Sequence, residues 1–307
     1  MINKIKQQFK NGEIDKQTFI NTMFEQNQQL FEYTKLLKDT DIKSIEIGEE
    51  GVLFTTREKD IKFFCHKNDK RSAPFEIMNF DTYEADDAAM MYELINDSDN
   101  VFDIGANIGF YSINFAKAFP NAKINSFEPI PSTYTLLEKN VSINETNNIT
   151  INNFGFSSEE KTLEFFVSAS TSVSSSAQDL TNGGDTEKVV CKVLPLDSFV
   201  AKNKAKVDFI KCDVEGAELF VYQGAKETLM EQKPIVFTEM LRKWAAKFDY
   251  HPNDIIALFE KLGYSCFVIF DKINLRKIEK VDESTSETNF VFLNKDKHNA
   301  LIEKYAR

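Results

Sequence analysis

VFDIGANIGFYS, residues 101–112, is an apolar run that ends in an aspartate and passes into two glycines four positions apart. Glycine has no Cβ, so a chain bearing it here can turn sharply and let its backbone approach a ligand. The next residues, FYSINFAKAF (110–119), continue as a helix. Strand, glycine turn and helix then recur along the chain. KINSFEP (123–129) is a second strand and STYTLLEKNVSIN (132–144) a second helix. ITINNFGFS (149–157) is a third strand and VDFIKCD (207–213) a fourth, followed by one helix, AELFVYQGAKETLME (217–231). PIVFTEM (234–240) is the fifth, HPNDIIALFEKLG (251–263) a helix, and YSCFVIF (264–270) and NFVFLNK (289–295) two late strands. Short apolar strands alternating with helices predict an α/β fold, a parallel sheet covered on both faces.

Upstream, the pattern differs. In residues 1–40 the apolar positions Phe19, Ile20, Met23, Phe24, Leu30, Phe31 and Leu37 follow helical spacing with no proline. They read either as a helix packed on the main body or as a dimerisation helix that would make the protein a homo-oligomer. Residues 43–67 alternate, with Gly51 at a turn, and 84–97 read as a helix. One interval breaks the rhythm: residues 168–188 are serine-rich and carry a Gly-Gly pair, either a disordered tip or a lid beside a pocket.

The 307 residues suit one large domain with an extension, and 28 phenylalanines predict an aromatic core. A net charge of -11 argues against nucleic-acid binding, which needs clustered Lys and Arg. Cys65, Cys191, Cys212 and Cys266 are scattered, as are His66, His251 and His298. No zinc-like spacing arises, and the thiols read as free in a reducing, cytoplasmic setting. Cys212 and Cys266 lie in apolar runs, as core filler. Neither a secretory signal nor a run of 18 apolar residues is found. The sequons at Asn140, Asn144 and Asn148 carry no meaning in a cytoplasmic chain.

Ligands of such sheets lie beyond the carboxyl ends of the strands, where a helix N-terminus offers free N–H groups. A dinucleotide fingerprint would read G-x-G-x-x-G. Here Asn107 takes the place of the middle glycine, where its side chain crowds a pyrophosphate, and Asp103 would repel phosphates. A carboxylate suits a cationic ligand, and S-adenosylmethionine carries a sulfonium, an ammonium and no phosphate. Glu128, 25 positions after Asp103 at the end of the second strand, can accept both hydroxyls of a ribose. Nicotinamide and adenosylmethionine readings both need that acid; the turn favours the second.

VFDIGANIGFYS, FEPIPSTYTLLEKNV, the strand VLPLDSFV and VDFIKCDVEGAELFVYQGAKETL together resemble the FkbM-type methyltransferase family over roughly residues 84–294. The resemblance implies a class I methyltransferase (Rossmann-like) fold, a seven-stranded mixed sheet of order 3-2-1-4-5-7-6 with the seventh strand antiparallel. It assigns residues 81–307 to that domain and leaves 1–80 as a helical and β extension. It places Asp103, Gly105, Asn107 and Gly109 on the cofactor turn, Glu128 on the ribose acid, and Asp213, Glu215 and Gly216 on the fourth-strand motif. Glu239 falls at the end of the fifth strand, and Glu84 matches an acid preceding the domain that joins the cofactor set. Members use S-adenosylmethionine and mostly methylate hydroxyls, often on sugars or polyketide-like products.

If the chain stays extended past the fourth strand, Asp213 and Glu215 leave on one face. An alcohol is a poor nucleophile until its proton leaves, and a carboxylate within reach can take it. Asp213 is the first candidate base, Glu215 the second and Glu239 a third at the rim. The structural alternative for Asp213 is to cap the helix beginning at Gly216, or only to position the cofactor. His251, before Pro252, reads as a helix flank. Asp213, Glu215 and Glu239 offer hard oxygens of the kind Mg²⁺ takes, but no spacing demands an ion and none is assigned. The expectation is an S-adenosylmethionine-dependent O-methyltransferase acting on a sugar hydroxyl of a glycan, glycolipid or nucleotide-sugar. The alternatives are N-methylation of a peptide or amino-sugar, or a non-catalytic scaffold.

Overall fold

A computed structural model describes residues 1–168 and 186–307. Most of the serine-rich interval therefore lies outside the described residues. The chain opens with a helical hairpin, α1 (Ile2–Lys10) and α2 (Lys16–Leu36), then a three-stranded antiparallel sheet, β1 (Ile42–Gly48), β2 (Gly51–Thr56) and β3 (Lys62–Phe64). α3 (Ala73–Phe80) and α4 (Ala85–Leu94) lead into the central body. There follow β4 (Asn100–Ile104), α5 (Phe110–Ala118), β5 (Lys123–Phe127), α6 (Pro131–Ile143), β6 (Ile149–Asn152), β7 (Gly155–Phe156), β8 (Lys161–Ser168), β9 (Thr186–Leu194) and α7 (Leu196–Asn203). β10 (Phe209–Cys212), α8 (Glu218–Gln223), α9 (Lys226–Glu231), β11 (Ile235–Glu239), α10 (Arg242–Ala245) and α11 (Pro252–Lys261) come next. β12 (Tyr264–Phe270), β13 (Asn274–Ile278), β14 (Asn289–Asn294) and α12 (Asn299–Tyr305) complete it.

The central sheet runs β6-β5-β4-β10-β11-β14-β12-β13, with β14 antiparallel to both its neighbours. This is the expected 3-2-1-4-5-7-6 order with one strand more: β13 pairs with β12 at the edge, so the late strands are neighbours but no simple hairpin. Strand residues alternate between two cores. Phe290 and Phe292 face α8, α9 and α11, whereas Val291 and Leu293 face α4, α5 and α12. Phenylalanine is prominent in both: Phe102, Phe127 and Phe156, whose rings meet at tilted angles, lie in the first, and Phe115, Phe209 and Phe267 in the second. Each such ring buried contributes about 1.5–3 kcal/mol.

Three local readings are corrected. The third strand splits, because β7 leaves the central sheet to pair with β9. The stretch VLPLDSFV is strand only to Leu194: Pro195 caps α7, and Asp197 accepts from the Glu227 and Thr228 amides. The helix after the fourth strand is two helices, since Gly224 packs against the backbone of Ser157, where a Cβ would fall 2.2 Å from its oxygen.

Of the apolar positions in residues 1–40, Leu37 packs against the cluster of Ile42, Phe54 and Ile77, while the rest form a hairpin that buries little. Asp15 caps α2 and Phe9 stacks on Phe19 at 4.4 Å, but no α2 residue is buried, and Phe24 and Phe31 are 60% and 65% exposed.

The sequons prove structural. Asn140 and Asn144 stand one turn apart on α6 and pair with alternate residues of β3. Asn144 exchanges hydrogen bonds with the Lys62 backbone at 2.8 and 2.7 Å, and Asn140 with Phe64 at 2.8 and 3.1 Å. Four helical residues rise about 6 Å and two strand residues about 6.6 Å, so the two amides act as a surrogate strand. Asn140 also donates to Ile108 O at 2.9 Å, and Asn148 donates to three carbonyls at the end of α5. Asn140→Ala strips three bonds from buried backbone groups and is expected to cost about 3 kcal/mol in urea unfolding. A loss below about 1 kcal/mol would show that the clamp holds nothing.

Candidate functional site

The glycine turn leaves β4 against the end of β10. Gly105 has φ +78°, and a Cβ there would lie 1.8 Å from the carbonyl oxygen of Asp213. Gly109 has φ +90°, and its Cβ would meet Leu137 at 2.6 Å. Between them Asn107 adopts φ +50°, a left-handed geometry asparagine tolerates better than most side chains. Its amide donates to Glu128 Oε2 at 3.0 Å, and the Ile130 amide donates to Oε1 at 3.0 Å. Burial pushes the Glu128 carboxyl up to about 7 against these two amides. Turn and acid share the wall of a cavity of about 300 Å³ that Ile130, Phe156 and Leu163 also line.

Asp103 does not reach that wall. It is fully buried, accepts from Ser112 Oγ at 2.5 Å, and lies 3.6 Å from the Lys211 ammonium. The expectation that its carboxylate meets a ligand's charge is therefore corrected: it meets Lys211. Lys211 is itself 3.5 Å from Asp213 and 3.4 Å from the Gly105 carbonyl. Burial alone would disfavour its charge, but Asp213, Asp103 and Glu84 outweigh that and hold it firmly protonated. Sequence reasoning passed over Lys211, although a lysine within an apolar strand, two residues before an aspartate, was a signal.

Past β10 the chain is not extended. Glu215 has φ +54° and Gly216 φ +97°, and Gly216 packs on Trp244 where a Cβ would come within 2.9 Å. No side chain caps α8; instead Glu218 Oε1 accepts from the Val214 and Gly216 amides of the preceding loop at 3.1 Å each, and Tyr250 donates to Oε2 at 3.2 Å. Burial pushes Glu218 up to about 7. Asp213 caps nothing: Oδ2 pairs with Lys211, and the other oxygen, Oδ1, is buried and lacks a hydrogen-bond partner among the described residues. His251 caps α11 in a capping box with Asp254, as its place before Pro252 suggested.

A second cavity, of about 380 Å³, opens on the other side of Asp213. Glu76, Glu84, Asp213, Glu215 and Glu239 line it with one arginine, Arg71, which is 2.5 Å from Glu76. Tyr83, Arg71, Asp213 and Glu215 border both cavities. Glu84, at φ +44°, accepts a short hydrogen bond from Tyr111. Burial, then neighbouring acids, raises the carboxyls: Glu84 to about 7, Glu239 to about 9, and Glu215 well above its ordinary value. Of the expected site residues, Gly105, Asn107, Glu128, Asp213 and Glu215 line the first cavity, and Glu84 and Glu239 the second. Gly109 supports the turn from behind.

The family model described as Methyltransferase FkbM domain matches residues 103–266, more than half of the chain. The chain belongs to the FkbM methyltransferase family. Methyltransferase 1 of Beauveria bassiana (strain ARSEF 2860) is 26% identical over 146 residues, 42% of this chain and 59% of that protein, so the match spans less than two thirds of it. Methyltransferase sdnD of Sordaria araneosa is 29% identical over 205 residues, 56% of this chain and 77% of the other. The crystal structure of the FkbM methyltransferase from Methylobacillus flagellatus KT aligns with a TM-score of 0.42 at 15% identity, over 67% of this chain and 47% of that one. In this FkbM chain, no described helix is long and apolar enough to cross a membrane.

The raised carboxyls set a pH dependence. Glu84, Glu128, Glu218 and Glu239 hold protons in the folded state that an unfolded chain releases near pH 4.5. Their contribution is full below that value and is lost as pH rises through about 7 and 9. The melting temperature of the unliganded protein should fall between about pH 7 and 9, and Glu239→Gln should flatten the fall. A rise over that interval would contradict the raised carboxyls.

Proposed function

We propose that this protein is an S-adenosylmethionine-dependent O-methyltransferase whose acceptor is a sugar hydroxyl of a glycan, glycolipid or nucleotide-sugar. The observation that carries the reading is the meeting of two cavities at Asp213. One is walled by the glycine turn and Glu128, the other by carboxylates. The first fits the cofactor: the cradle at Gly105 admits no Cβ, and Glu128 keeps lone pairs on the cavity wall beyond its two amide bonds. Gly105, Asn107 and Glu128 would hold the cofactor, with Gly109 and the Asp103–Lys211 pair fixing the turn. When bound it supplies an electrophilic methyl group. In this reading residues 81–307 form the methyltransferase unit and residues 1–80 an extension.

The protein's own part is to bind, align and remove a proton. Asp213 is the base, because its side chain borders both cavities and is 36% exposed between them. It takes the hydroxyl proton as the oxygen acquires the methyl. Burial and neighbouring acids raise Glu239 to about 9 and Glu215 well above its ordinary value, so neither competes as the base in the unliganded protein. General base catalysis of this kind is worth about 10²- to 10⁴-fold.

Glu128→Ala is expected to weaken S-adenosylhomocysteine binding at least about 100-fold by calorimetry. Unchanged affinity would remove the cofactor assignment. Asp213→Asn should keep that affinity within about threefold and lower methyl transfer to a cell extract of glycans and nucleotide-sugars by about 10²-fold or more. Full turnover would dismiss Asp213 as the base.

A further inference from the structure

The second cavity has a charge balance that a neutral sugar does not satisfy. Five carboxyl groups converge on it. Its one arginine, Arg71, is committed to Glu76 at 2.5 Å, and Lys211 is enclosed between Asp103 and Asp213. Binding the cofactor's ammonium would engage one more of the acids. The Glu239 side chain, at the end of β11, has no hydrogen-bond or ion-pair partner among the described residues. Like charges in so small a space raise one another's affinity for protons, and an incoming cation takes the place of those protons.

A second observation concerns the aromatic wall. Tyr83 is half-buried between the two cavities, its ring against Phe110 at 4.9 Å and Tyr111 at 6.3 Å. Its hydroxyl has no hydrogen-bond partner among the described residues, which leaves it open to a polar group of a ligand. Phe80, 68% exposed, stands at the same cavity. Aromatic faces and carboxylates together are the surroundings in which an organic cation is held. An ammonium group has three donors and no acceptor, matching a wall of acceptors. A metal ion fits less well, since no group of three or more potential ligands among the described residues is arranged to hold one.

We infer that the acceptor carries a protonated amine, and that the second cavity binds it between the carboxylates of Glu84 and Glu239 and the ring of Tyr83. The inference rests on the methyl-transfer reading and narrows its substrate to an amine-bearing sugar or polyol. The amine is the handle, and the methylated atom remains a hydroxyl oxygen.

The test is calorimetry on the full chain saturated with S-adenosylhomocysteine, at about pH 6, where such an amine is protonated. Glucosamine, glucose and N-acetylglucosamine are compared, since they share a ring and differ in charge at one position. Glucosamine should bind at least about tenfold more tightly than either neutral sugar, about 1.4 kcal/mol. Glu239→Gln should reduce that preference to below about threefold. Equal affinity for the three sugars, or no binding of glucosamine up to about 50 mM, would overturn the inference. So would a preference that survives Glu239→Gln, or stoichiometric Mg²⁺ binding that displaces glucosamine. If the variant does not fold, the three-sugar comparison on the native protein decides alone. Titration of S-adenosylhomocysteine into the same protein separates the two levels. Its failure to bind refutes the methyltransferase reading, whereas tight binding without amine preference refutes only the acceptor class.

Discussion

The Lys211 ammonium, enclosed between Asp103 and Asp213, joins the carboxyl ends of the two central strands. β4 and β10 are paired in parallel, with Lys211 beside Asp103 in register, so the charges meet where the sheet opens towards ligand. Burying such ions costs several kcal/mol each before their attraction is counted. A pair of this kind contributes little net stability, but removing one partner leaves an unpaired charge in the core. Its consequence here is position: Gly105 gives its carbonyl to the same ammonium, and the turn is held against the Asp213 backbone with no room for a Cβ.

Around that anchor the protein concentrates negative charge. Glu84, Glu128, Glu218 and Glu239 are all raised above the ordinary glutamate range, each first by burial. Perturbed carboxyls clustered in cavities are a mark of functional sites, because a stable core would not select them. Two of the acids are structurally engaged by backbone amides, Glu128 by the turn and Glu218 by the loop after β10. The others face open space, where a ligand can reach them.

The N-terminal sheet is tied to the same centre. Asn140 holds β3 with one set of hydrogen bonds and the carbonyl of Ile108, within the glycine turn, with another. A displacement of β3 would thus be felt at the turn through one buried side chain. α2 has no such tie, and its exposed phenylalanines stand clear of the core.

What the sequence determined by itself was local. The strands and helices of the sheet were legible because an apolar period of two gives way to one near 3.6. The glycine turn was legible because only glycine enters those backbone regions freely, and Glu128 because it stood at a strand end. The tertiary structure decided the partners. Lys211 meets Asp103 across 108 positions, Asn140 meets Phe64 across 76, and Gly224, between two helices, lies against the Ser157 backbone with no room for a Cβ. Asp103 looked like a ligand contact until the fold placed a lysine in front of it, and Asp213, a possible cap, pairs with that same lysine. Backbone preference acts over a few residues and is written in the local pattern. Charge pairing and close packing act through space, between segments whose nearness no local pattern records.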